Sequence, residues 1–82
     1  MKEAGPLLDA IDRFVSGDDI SIALANFIEV TLDDAYPEDD RIQDVVAVLA
    51  AYRPGGGEFL YDEFQVGEDL RKIRGLLQRS RL

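Results

Sequence analysis

The stretch Ile20–Tyr36, ISIALANFIEVTLDDAY, decides the fold. Its β-branched residues, Ile20, Ile22, Ile28, Val30 and Thr31, invite a strand reading. The spacing refuses it. Ile20, Leu24, Phe27, Ile28, Thr31, Leu32 and Ala35 recur at intervals of three and four, one face of an α-helix rather than an alternating strand. Asp18, Asp19 or Ser21 can cap the start. Pro37 closes the helix by about Tyr36, because the residue before a proline avoids helical backbone.

Working outward, the same period appears on both sides. Leu7, Leu8, Ile11, Phe14 and Val15 form one helical face, predicting a helix over about 6–16 with Pro6 early and Gly17 as its left-handed stop. Ile42, Val45, Val46, Leu49 and Tyr52 form another, led by Glu38, Asp39 and Asp40 as cap and first-turn charge. Pro54 and Gly55–Gly56–Gly57 stop it. Val66, Leu70, Ile73 and Leu77 give a last helix that starts between Asp62 and Glu68. Between them, Phe59, Leu60, Tyr61 and Phe64 read as an ordered loop that folds its aromatics onto the bundle. The expected architecture is all-α, a small antiparallel bundle of three to four helices forming one domain over 1–82.

Composition narrows the function. The chain has 82 residues, no cysteine and no histidine. That removes disulfides, thiolate chemistry, the usual general base and the commonest zinc ligand. The opening residues do not read as a signal peptide, and no apolar run approaches the roughly 18 residues a membrane helix needs. These features predict a cytoplasmic protein without a membrane partner.

Charge is split along the chain. Residues 1–68 carry 16 acidic and 4 basic side chains, a balance of −12, and residues 69–82 set Asp69 against Arg71, Lys72, Arg74, Arg79 and Arg81, a balance of +4. Together these make the −8 of the whole chain. Such acidity argues against direct binding of nucleic acid, where affinity comes from neutralising phosphates. Helix-end electrostatics account for part of the basic tail, helped by an i, i+4 pair of Glu68 with Lys72. A second reading packs the tail near the acidic corner of its own or a neighbouring copy.

The densest acid surrounds the turn between the second and third helices. Asp33, Asp34, Glu38, Asp39, Asp40 and Asp44 lie within 12 residues, interrupted by Arg41. A solvated corner with a helix cap explains single members, but six carboxylates so close repel one another, and a basic partner relieves that repulsion. Tyr36 beside Pro37 is the candidate aromatic anchor. A calcium loop is not read here, since 33–44 contains no glycine. Paired carboxylates without a supporting pocket do not make a glycosidase. The glycine run lacks the lysine and hydroxyl of a phosphate loop. The expectation is a non-enzymatic binding protein, without cofactor or metal, that meets a basic protein. The alternative is a structural or assembly module, a homodimer or small subunit held by Ile22, Val30, Val48 and Leu76.

Three stretches carry a family likeness: Phe14–Val15–Ser16–Gly17–Asp18–Asp19–Ile20–Ser21, Leu49–Ala50–Ala51–Tyr52–Arg53–Pro54, and Val66–Gly67–Glu68–Asp69–Leu70–Arg71–Lys72–Ile73. In this order of features the chain resembles the immunity proteins of the colicin D type. The resemblance implies a small cytoplasmic helical bundle that blocks the tRNA-cleaving domain of a bacterial toxin, offering carboxylates where the RNA phosphates would sit. The residues expected to face the toxin come from the charge map, not from a family motif.

Overall fold

A computed structural model describes the backbone of residues 4–80 and the side chains of 5–77. Four helices form in order: α1 Ala4–Val15, α2 Ile22–Ala35, α3 Asp40–Ala50 and α4 Glu63–Ser80. α1 packs on α2 and α4, and α3 packs on the same two, so the helices close a four-membered ring. This is the small antiparallel bundle that the periodicities imply. Its interior is one cluster. Ile11, Phe14, Ile28, Leu32, Ile42, Val66, Leu70 and Leu77 are sealed from solvent within it.

Local chemistry sets the helix ends. Gly17, at φ +85°, turns the chain out of α1 in a conformation that side-chain-bearing residues disfavour. Ser21 caps α2 by accepting from the Leu24 N–H at 3.1 Å, while Asp19 accepts from the Ser21 N–H at 3.0 Å. Asp39 caps α3, accepting from the N–H groups of Arg41 and Ile42. Asp62 does the same for α4, accepting from Phe64 and Gln65.

Two residues of the expected α2 face, Phe27 and Ala35, are exposed. Phe27 falls on the edge of the α2 stripe and is 46% exposed, while Ala25 lies at the centre and is buried. Of the four residues offered as an assembly surface, Val48 and Leu76 pack half-buried beside the core, while Ile22 and Val30 are exposed.

The positive charge of α4 is used differently from the sequence reading. Arg74 grips Asp12 of α1 with two hydrogen bonds, Nε to Oδ1 at 2.6 Å and Nη2 to Oδ2 at 3.0 Å. Among the described residues no ion pair joins Glu68 to Lys72; the i, i+4 pair that does form is Asp9 with Arg13, at 3.4 Å. The Arg79 side chain and Arg81 lie outside the described residues.

Candidate functional site

The acidic corner sits where α2 hands over to α3. Tyr36 ends α2, its N–H bonded to the Leu32 carbonyl at 2.9 Å, and its half-buried side chain packs against the core. Gln43 stitches the corner together, its Nε2 donating to Asp33 Oδ1 at 3.1 Å and to the Tyr36 carbonyl at 3.2 Å. Asp33, Asp34, Glu38, Asp40 and Asp44 are exposed, and Asp39 is half-buried. Residues 35–41 line a hollow of about 540 Å³ that lies open to solvent, a shape for a protein surface rather than an enclosed small molecule.

These carboxylates fall into two physical groups. Asp39 and Asp40 help the fold. They stand at the positive N-terminal end of α3, and the Arg41 guanidinium, followed by backbone N–H groups, holds the Asp39 carboxyl below its usual value. Asp33 and Asp34 stand against the helix dipole, a cost that the Gln43 amide partly offsets at Asp33. They occupy the last turn of α2, where the helix dipole is negative and no basic residue compensates. Each costs about 0.3–1 kcal/mol there. Tyr36 is placed beside Pro37 as expected, but it is partly buried and already packs against the core of its own chain.

A second surface escaped the sequence reading. The segment between α3 and α4 is ordered by its backbone, as expected of it, but its aromatics point away from the bundle. Arg53 N–H donates to the Tyr61 carbonyl and Tyr61 N–H to the Ala51 carbonyl, both at 2.9 Å. Gly55 N–H donates to Glu63 Oε1 at 2.8 Å. Gly56, at φ +76°, leaves room for Asp62, whose Cβ would stand 3.2 Å from an added methyl. These bonds hold the segment without requiring its side chains to be buried. Phe59 is 91% exposed and Phe64 75%, with Leu60 and Tyr61 also solvent-facing.

Phe59 is also strained. It sits third in a turn closed by Leu60 N–H to the Gly57 carbonyl at 3.0 Å, with φ at +65°. A turn of that sign normally carries glycine or asparagine there, and a bulky residue costs on the order of 1 kcal/mol. Asp18, Asp19, Glu58, Asp62 and Glu63 surround this end of the bundle, against Arg53 and Arg71. In an antiparallel bundle this end lies opposite the acidic corner, so Tyr61, Asp62 and Glu63 form a separate surface and do not extend the corner. The signal in the sequence was the glycine run: a backbone ordered by glycine turns needs no aromatic burial.

Beside Phe64 a cleft of about 280 Å³ runs between the exit of α1 and the start of α4, walled by Phe14, Val15, Ile20 and Gly67. Its volume stands at the small end of the roughly 300–1,000 Å³ of small-molecule sites. Among the described residues no group of three or more carboxylates is placed to hold a metal ion. No helix among them is long and apolar enough to cross a membrane.

Compared with protein-family models, curated proteins and solved structures, the chain matches none.

Proposed function

We propose that this chain is a non-enzymatic, cytoplasmic binding protein that inhibits a basic nuclease domain, a tRNA-cleaving toxin of the kind its sequence resemblance implies. One observation carries the reading. Asp34 stands exposed in the last turn of α2, where it weakens its own helix with no cation in that turn to offset it, while Asp33 beside it takes the Gln43 amide as its partner. Charge kept at a cost to the fold is charge with a use outside it. Asp40, Asp44 and Glu38 add to the same face, and Tyr36 gives it an aromatic contact. A cleft built to hold RNA phosphates presents the complementary field, which speeds encounter and selects the partner.

The test is inhibition. Any nuclease-like reading frame found beside its gene is expressed, the chain is mixed with the product, and cleavage of tRNA is followed. Stoichiometric loss of cleavage supports the reading, and unchanged cleavage at a tenfold excess of the chain rejects it.

A second reading is favoured by the solvent face of α2, where Ile22 is 49% and Val30 66% exposed. On that reading the chain is an assembly module that pairs through this face. Sedimentation separates the two, since a tight, salt-insensitive dimer belongs only to the second.

A further inference from the structure

We propose that the turn at the α3–α4 end is a second protein-docking surface, anchored by Phe59 and Phe64, whose occupant is a cationic protein. The inference goes beyond the acidic corner and does not depend on it, because the two surfaces lie at opposite ends of the bundle.

Three observations converge. Phe59, 91% exposed in the longest connection among the described residues, and Phe64, 75% exposed in the first turn of α4, lie five positions apart, with half-exposed Leu60 and Tyr61 between them in sequence. Apolar surface concentrated in this way marks interaction sites. Phe59 is displayed by a left-handed backbone at φ +65°, in a turn that glycine would satisfy without strain. The fold therefore gains from Phe59 neither a buried contact nor a relaxed turn. Finally, Gly55–Glu63 and Arg53–Tyr61 hydrogen bonds fix the base of the segment, so the aromatics are presented on a preformed support.

Charge selects the occupant. The exit of α1, the approach to α2 and the start of α4 meet at this end, where Asp18, Asp19, Glu58, Asp62 and Glu63 outnumber Arg53 and Arg71. A second copy of a chain with net charge −8 would bring acid against acid. An anionic bilayer would meet the same repulsion. A basic protein surface with an apolar hollow satisfies both parts, aromatic anchors at the centre and charge at the rim.

A random dodecapeptide display library panned against the wild-type chain tests this, with the selected peptides resynthesised and titrated. The expected peptides carry net positive charge and an aromatic or aliphatic pair. They bind Phe59→Gly and Phe64→Ser at least tenfold more weakly and bind Asp34→Asn as well as wild type. Phe59→Gly should at the same time be no less stable than wild type in urea, since it relaxes the turn. The proposal is overturned if no peptide is enriched, if the enriched peptides are neutral or acidic, or if Phe59→Gly binds within twofold of wild type. It is equally overturned if the chain sediments as a dimer that Phe59→Gly dissociates, or binds phosphatidylserine vesicles through Phe59.

Discussion

The Tyr52 hydroxyl donates to the Ile20 carbonyl at 2.5 Å, tying the exit of α3 to the approach of α2 across 32 positions of sequence. The same ring meets Phe14 edge-on, with centroids 5.2 Å apart and planes at 71°. One side chain thus joins three helices at the end of the bundle that carries the exposed aromatics. Burial is the main reason that its phenol titrates above the usual range, helped by the charges of Glu63, Asp62 and Asp19.

Tyr52→Phe should keep the ring packing and lose the bond to Ile20. Leaving that carbonyl without its donor costs about 1–3 kcal/mol. Urea denaturation measures it, and a midpoint equal to wild type would show that the bond adds nothing.

Gly67 and Gly75 lie inside α4, and an added methyl at either meets nothing within 4 Å beyond the helix's own adjoining backbone. Neither is needed for a turn or a close approach within the monomer. Gly67→Ala and Gly75→Ala should each stabilise the fold by about 0.5–1 kcal/mol. Thermal melts decide this, and a lowered Tm at either position would refute the open space seen there.

The acidic corner should respond in opposite directions at two neighbouring places. Asp34→Asn removes a charge from the negative end of α2 and should stabilise by about 0.3–1 kcal/mol at low salt. Asp39→Ala removes the α3 cap and should lower the melting point by several degrees. Parallel melts at low and high salt read both. If both variants lost stability alike, the division of the corner into fold-supporting and fold-opposing acids would fail.

Acid should destabilise the protein in a defined window. The folded carboxyls of Asp12, Asp19 and Asp39 lie below their usual 3.8, held down chiefly by hydrogen bonds from Arg74, the Ser21 N–H and Arg41 respectively. A depressed folded value means that the unfolded chain binds more protons. The stability these groups add is therefore present above the usual carboxylate value and is lost as pH falls through their folded values. Urea midpoints should hold between about pH 7 and 5 and fall below about 4, where carboxylates titrate. Asp12→Asn should flatten part of that fall, and an unchanged acid limb would mean that the Arg74 pair contributes nothing.

How much of this was legible follows from what each element relies on. Val66, Leu70, Ile73 and Leu77 depend on burial alone, and their spacing placed all four in the core. Phe27 shares that spacing in α2, yet spacing names a stripe and not its edges, and tertiary packing left it half outside. The segment 55–62 depends on backbone bonds and glycine dihedrals, so hydrophobicity misread it and turned Phe59 inward. Asp12 and Arg74 lie 62 positions apart, beyond any local pattern. At the corner the clustering of acid was plain from sequence, but the opposition between Asp34 and Asp39 needed the helix ends to be located.

On the proposed function, the exposed carboxylates of the α2–α3 corner bring a basic nuclease domain to this chain. The deciding measurement is stopped-flow association of the nuclease domain used in the inhibition assay with wild type and with the triple variant Asp33→Lys, Asp34→Lys, Asp44→Lys. The expected result is a wild-type association rate that falls steeply with salt, and a triple variant at least tenfold slower at low salt. An association rate indifferent to salt and unchanged in the triple variant would contradict it.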